Sequence, residues 1–200
     1  MNNNMSDWKD NIKVVGITGF KRSGKDTVGE YLCNGHNYTR LGFADSLKQA
    51  CKCIFSFTDD QLYGDTEKER TDDYWGHSPR EILQKVGTEL FREKLSEICC
   101  NVGNDIWIKS IERQMFALYT ADPIKNNKFV ITDVRFPNEC DFIKSMNGKM
   151  ARVNRFNVNL DDVITLHASE KFILDMCVDF DINNYGTLDD LYKEIERISL

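Results

Sequence analysis

Proline and histidine are both scarce in this chain, 3 of each in 200 residues. With 41% hydrophobic and 29% charged residues, so little proline excludes a collagen-like or disordered chain, and the mean hydropathy of -0.47 suits a protein in water. No apolar run approaches the ~18 residues that a membrane span needs. Positions 1 to 11 are polar and lack a hydrophobic signal core, so they read as a flexible leader, and neither insertion nor secretion is expected. An excess of positive charge is also missing: 26 Lys and Arg against 32 Asp and Glu leave a net charge of -6. That balance argues against nucleic acid as a partner and leaves room only for small anions in local pockets. The 7 cysteines are odd in number and none are spaced C-x-x-C; Cys51 and Cys53 stand one residue apart, Cys99 and Cys100 side by side. The histidines, at 36, 77 and 167, show no ligand-like pairing. A zinc site is not expected, and free thiols in a reducing, cytoplasmic compartment are.

What is present is an alternation of short apolar runs and amphipathic stretches. Lys13 to Thr18 reads as a buried strand, followed by a turn rich in Gly, Lys and Ser and by a helix over Asp26–Leu32 that Asn34-Gly35 should stop. Tyr38 to Phe43 predicts a second strand and Ala44 to Phe57 a helix with Leu47, Ala50, Cys51 and Ile54 on one face. Residues 58–79 carry alternating charge and little periodicity, so a long surface excursion is expected. Ser78 and Pro79 are a cap and first-turn pair for a helix reaching about Cys99, and another should run from Ile106 to Leu118. Phe129 to Thr132 reads as a central strand ending in Asp133. Further expectations are a helix from Pro137 to Met146, a strand from Met150 to Asn154, a loop over 157–166 and a helix from His167 to Met176. A strand at Phe180 to Asn183 and a closing helix at Leu188 to Ile198 complete the pattern. Strands alternating with helices imply an α/β fold, a parallel sheet flanked by helices, in a single domain over residues 1–200. Trp75, Trp107, Phe116 and Phe129 are read as core.

The strongest chemical signal is Gly19-Phe-Lys-Arg-Ser-Gly24-Lys25, two glycines five apart and then a lysine, set between a strand and a helix. In that context the backbone N–H groups of Gly19, Lys21, Arg22, Ser23 and Gly24 would converge on a phosphate, the helix N-terminus would add partial positive charge, and Lys25 would reach the β and γ phosphates. An ordinary glycine-rich turn is the alternative. The residue after Lys25 departs from the usual Ser or Thr: Asp26 stands there and Thr27 follows, so either could hold Mg²⁺.

A phosphoryl group in transfer spreads charge over its oxygens and needs further cations. Arg135 lies two residues beyond the strand tip at Asp133, and ligands of open parallel sheets sit at such tips. Asp133 as a helix cap and Arg135 as a surface ion pair are the plainer readings. Arg80 and Gln84 share a helix side, whereas Arg92, twelve residues on, projects about 120° away at 100° per residue; each is alternatively a solvated helix residue. His167-Ala-Ser-Glu170 reads as a helix start, not as hydrolase machinery.

Several segments together resemble the deoxynucleoside monophosphate kinase family of tailed phages and other large DNA viruses. They are Gly16-Ile-Thr-Gly-Phe-Lys-Arg-Ser-Gly-Lys-Asp-Thr27, Gly42-Phe-Ala-Asp-Ser-Leu-Lys48, Ser78-Pro-Arg-Glu-Ile-Leu-Gln-Lys-Val-Gly-Thr-Glu89 with Arg92, Thr132-Asp-Val-Arg-Phe-Pro-Asn-Glu139 and His167-Ala-Ser-Glu170. The Lys-Asp-Thr ending of the loop is ordinary in that family. The resemblance implies a P-loop, nucleoside monophosphate kinase-like fold with a helical substrate-covering region and a small lid, the lid over residues 155–170 and the excursion at 58–79 a mobile flap where Lys68 and Arg70 help. It implies transfer of the ATP γ-phosphate to a deoxynucleoside 5′-monophosphate with Mg²⁺, giving ADP and the diphosphate. Gly19, Gly24, Lys25 and Thr27 would bind ATP phosphates and metal. Asp45, Lys48, Arg80, Gln84, Arg92, Asp133 and Arg135 would contact the acceptor or the transition state, and Arg155 would be a lid arginine. A homodimer, and the host cytoplasm for a viral source, are also implied; no residue pattern singles out one base.

The mechanism expected is direct in-line displacement, with Lys25, Arg135, Mg²⁺ and the nearby Asp26 as the catalytic centre. Rival readings are another small-molecule P-loop kinase, of phosphomevalonate or dephospho-coenzyme A type, and a regulatory module that binds nucleotide without transferring anything.

Overall fold

The structure is a computed structural model that describes residues 8–100, 102–155 and 172–198. The chain divides into two compact units, Met1–Gly42 with Glu112–Leu200, and Phe43–Ile111, which interrupts the first in sequence.

The first unit is built on five parallel strands: β1 (Lys13–Thr18), β2 (Thr39–Leu41), β3 (Lys128–Ile131), β4 (Lys149–Asn154) and β5 (Phe180–Asn183), ordered β2-β3-β1-β4-β5. β1 is central and buried from Val14 onward, which is why its sequence is an unbroken apolar run instead of an alternating one. Val15, Ile17, Val130, Ala151, Val153 and Ile182 face one side and pack under Val28 and Leu32 of α1 (Lys25–His36) and Leu191, Ile195 and Ile198 at the C-terminal helix. Met150 and Ile143 close on Gly16 from the other side, so the helix carrying Ile143 (Pro137–Ser145) covers the opposite face. Residues 8–11 do not form a flexible leader: Trp8 is buried, its ring 5.6 Å from Phe116 and 6.1 Å from Tyr119, and Lys9–Asn11 is a 3-10 turn. α1 passes through Asn34-Gly35 and stops at Asn37, whose left-handed φ of 59° ends it.

In the second unit the described residues contain helices and no strand. α2 (Asp45–Phe55) buries Leu47 and Cys51. The excursion is not structureless, since it opens with α3 (Asp59–Tyr63), capped by Thr58. Asp72 then accepts the Tyr74 and Trp75 amides and the Gln61 side chain, and Trp75 Nε1 donates to the Phe55 carbonyl at 3.1 Å. Trp75 is therefore a surface ring rather than core, 38% exposed, while Trp107 and Phe129 are buried. Ser78 and Pro79 open α4 (Pro79–Gln84) with a reciprocal Ser78–Glu81 cap, as their spacing predicts. The helix does not continue in α form: Lys85–Lys94 winds as a π-helix before α5 (Leu95–Ile98). Gly87 lies in that stretch, with its carbonyl taken by Trp107 Nε1 at 3.1 Å and its Cα pressed on Leu47. α6 (Ile106–Ala121) leads back into the first unit.

α7 (Pro137–Ser145) and α8 (Leu188–Arg197) complete the described helices. The expected loop over 157–166, the lid beyond residue 155 and the start of the helix at His167 lie outside the described residues. Residues 172–175 form a turn, not the helical end expected near Met176. Among the described residues no helix is long and apolar enough to cross a membrane, no group of His, Cys, Asp or Glu is arranged as a metal cluster, and all seven cysteines are free thiols.

Candidate active site

The segment after β1 is a cradle whose shape is set by the main chain. Gly19 has φ 145° and Gly24 φ 104°, conformations that glycine adopts without strain, and Arg22 between them takes a left-handed φ of 63°, so the chain reverses between the strand and α1. A Cβ on Gly19 would stand 2.6 Å from the Val153 carbonyl oxygen, so only glycine lets the turn lie against β4. Ser23 N–H closes the turn on the Phe20 carbonyl at 3.1 Å. Gly24 caps α1 with no side-chain hydrogen bond, leaving the first-turn N–H groups to a ligand.

Lys25 is folded back over this loop, its Nζ 2.7 Å from the Gly19 carbonyl oxygen and 2.6 Å from that of Phe20. Beside it Arg155 Nη1 donates to the Arg22 carbonyl at 3.2 Å, and Asn184 Nδ2 to the Ser23 carbonyl at 2.8 Å. Ser23 Oγ and, at the end of β1, Thr18 Oγ1 are buried with no protein partner. A glycine cradle, an uncapped helix start and orphaned hydroxyls suit a polyphosphate. Thr27, half-buried, and Asp26, exposed, offer the oxygen donors that a hard divalent cation takes beside phosphate and water.

The Asp133 segment reaches the same edge of the sheet. β1 and β3 are adjacent and parallel, and the pairing continues past β3 as Val134 N–H donates to the Ile17 carbonyl at 3.1 Å. Asp133 and Arg135, both half-buried, thus leave the sheet where the loop begins. Asp133 is not the cap of the next helix: Glu139, 1% exposed, reaches back from α7 and its Oε2 accepts the Arg135 N–H at 2.8 Å and the Phe136 N–H at 3.1 Å. Thr132 Oγ1, just before Asp133, is a third buried hydroxyl without a protein partner.

The remaining candidates lie in the second unit. Arg80 Nε is 2.6 Å from Glu69 Oε1, and its backbone N–H donates to the Lys68 carbonyl. Lys48 Nζ sits 4.4 Å from the centre of the Tyr63 ring. Arg80 and Gln84 both fall within α4 and keep their i, i+4 relation. Arg92 does not keep its 120° offset, because 100° per residue holds only as far as Gln84; it is 9% exposed and donates to the Asn104 carbonyl at 3.3 Å. Asp45 is half-buried in the first turn of α2. Hydrogen bonds hold two carboxyls of this unit below their ordinary range: Asp72 chiefly through the Trp75 amide, and Glu81 chiefly through the Ser78 amide. Burial pushes the Cys51 thiol up to about 11, so it stays protonated and inert.

Sequence reasoning missed Asn184, Glu139 and Arg152. Arg152 donates to the Leu174 carbonyl at 3.0 Å and pairs with Asp181 across β4 and β5 at 2.9 Å, and this hydrogen bond to Asp181 holds the carboxyl below its ordinary range.

A central β1 between β3 and β4, a glycine loop with its lysine, and an aspartate at the neighbouring strand tip define a P-loop phosphotransferase. The dephospho-CoA kinase from Campylobacter jejuni has the same fold, with a TM-score of 0.51 across 94% of this chain and 96% of that one at 15% identity. The family model for deoxynucleotide monophosphate kinase matches residues 67–195. A protein of Acanthamoeba polyphaga mimivirus, provisionally named deoxynucleotide monophosphate kinase, is 37% identical over 188 residues, 91% of this chain and 93% of its own. The deoxynucleoside-5′-monophosphate kinase of Escherichia phage T5 is 40% identical over 70 residues, 35% of this chain and 23% of its own. The chain belongs to the deoxynucleotide monophosphate kinase family, and it is a nucleotide-binding, ATP-using kinase with viral relatives.

Proposed function

We propose that the chain moves the γ-phosphate of ATP directly onto a deoxynucleoside 5′-monophosphate, with the Gly19–Gly24 loop and the α1 N-terminus holding the donor phosphates. The observation that carries this reading is the self-occupied loop: the Lys25 ammonium rests on two loop carbonyls, poised to exchange them for phosphate oxygens. Lys25 then follows the charge as it moves towards the leaving oxygen, and Arg135, at the same sheet edge, stabilises the equatorial oxygens. No residue is phosphorylated on the way, since end-to-end binding of the two nucleotides supplies the proximity. Thr27 and Asp26 would hold Mg²⁺, which when bound offsets charge on the phosphates.

Asp133 is assigned to the acceptor, as are Asp45, Lys48, Arg80, Gln84 and Arg92 of the second unit; this rests on their match to the family's segments. Arg155, already on the loop at Arg22, is assigned to ATP. The partners are small nucleotides and not nucleic acid, the place of action is the cytoplasm, and the assembly is a homodimer, checked by light scattering after gel filtration. The test of the reaction is coupled ADP release with a panel of deoxynucleoside monophosphates, dephospho-coenzyme A and phosphomevalonate. Release with a deoxynucleoside monophosphate alone supports the reading; release with neither nucleotide nor any other acceptor favours a binding module.

A further inference from the structure

The glycine that lets the phosphate loop turn also leaves one of its peptides undecided. Gly24 tolerates either orientation of the peptide linking it to Ser23, because without a Cβ both signs of φ are open to it. Something outside the loop must choose. Asn184 stands immediately beyond β5, fixed by its own N–H to the Asn154 carbonyl at 2.8 Å, and its Nδ2 takes the Ser23 carbonyl at 2.8 Å. Its amide lies so close to Gly24 that a Cβ there would stand 2.5 Å from Nδ2. The peptide is trans, so its C=O and N–H point in opposite directions. Holding the Ser23 oxygen towards β5 therefore turns the Gly24 N–H away from β5.

We propose that Asn184 is a positioning residue for donor binding: it locks the Ser23–Gly24 peptide with its N–H presented to the incoming phosphate, so the loop does not reorganise when ATP arrives. The proposal rests on the phosphate-loop reading above. Arg155 grips the preceding carbonyl, but from an exposed position and at 3.2 Å, so the lock is assigned to Asn184. A donor group prearranged before binding saves the ordering that would otherwise reduce affinity.

The test compares Asn184→Ala and the near-isosteric Asn184→Asp, which cannot donate to a carbonyl, with the parent protein. Loss of one such bond is expected to raise the KM for ATP about fivefold in Asn184→Ala and more in Asn184→Asp, with the KM of the monophosphate within about twofold of the parent. Calorimetric affinity for inorganic tripolyphosphate should fall by the same factor as the ATP KM rises. An unchanged ATP KM and tripolyphosphate affinity in Asn184→Ala would overturn the proposal. So would equal rises in both KM values together with a lower Tm, the mark of a merely structural residue. Lys25→Ala, assayed alongside, separates the two ideas: if it loses turnover while Asn184→Ala keeps its ATP KM, only the lock fails. If it keeps turnover, the phosphate-loop reading and the lock fail together.

Discussion

The phosphate loop and the 58–79 segment are both irregular, charged turns, yet they are held in different ways. In the loop the main chain does the holding: left-handed residues, a Ser23-to-Phe20 turn, and carbonyls that accept from Lys25, Arg155 and Asn184. In the 58–79 segment side chains do it: Asp72 gathers two amides, and Thr58 and Ser78 cap helices. Glu69 and Tyr63 engage Arg80 and Lys48. A site written in backbone depends on its glycines and on the few side chains that grip its carbonyls. A segment written in side chains responds to single charges and to acid.

The largest effect that probes this contrast is Lys25→Ala. Transfer should fall at least about a hundredfold, ~2.7 kcal/mol of transition-state stabilisation, with the circular dichroism spectrum unchanged. Turnover near that of the parent would deny the loop its role. Arg135→Ala should lower kcat by at least about tenfold, ~1.4 kcal/mol; a drop in Tm with kcat intact would make Arg135 structural. If Arg80 meets the acceptor phosphate as proposed, Glu69→Gln removes the carboxylate that holds it in the unliganded chain, and an exposed pair of this kind sets the scale, so the monophosphate KM should fall about two- to threefold. If it rises, Glu69 orients Arg80 instead of restraining it. Smallest is the effect at Asp72. Its folded-state pKa is lowered, so its contribution to stability is present above the ordinary carboxylate range and is lost as the pH falls through the folded value. Asp72→Asn should therefore lower Tm slightly near neutrality and not at all in strong acid. A Tm gap that stays constant down to strong acid would show that the carboxylate charge is irrelevant there.

How legible each region was follows from the same contrast. The strand–loop–helix around Gly19 to Lys25 could be read directly, because an apolar run, two glycines and a lysine are local signals; β5 and the Ser78–Pro79 helix start were equally plain. Asn184 could not be, because its partner Ser23 lies 161 positions away and an asparagine after a strand looks like any turn residue. Glu139 was hidden for a different reason: the capping pattern is recognised by Ser, Thr, Asp or Asn three residues before, and Phe136 stands there instead. The π-winding at 85–94 left no trace in the spacing, because Ile82, Leu83, Val86, Leu90 and Phe91 fit either pitch; what accompanies it is the Gly87–Trp107 contact between distant residues. Asn34-Gly35 misled because Gly35 is exposed with nothing near it, so helix bonding continues through it.

The central position of β1 has a consequence during synthesis. Its neighbours are β3 and β4, and Lys13 pairs with Lys128, about 115 residues downstream. At ordinary elongation rates β1 leaves the ribosome roughly ten seconds before the first of its partners, with its apolar residues uncovered. Nucleotide offered to the nascent chain therefore finds no cradle until the second half of the polypeptide has emerged, and it is over this interval that a chaperone has most to shield.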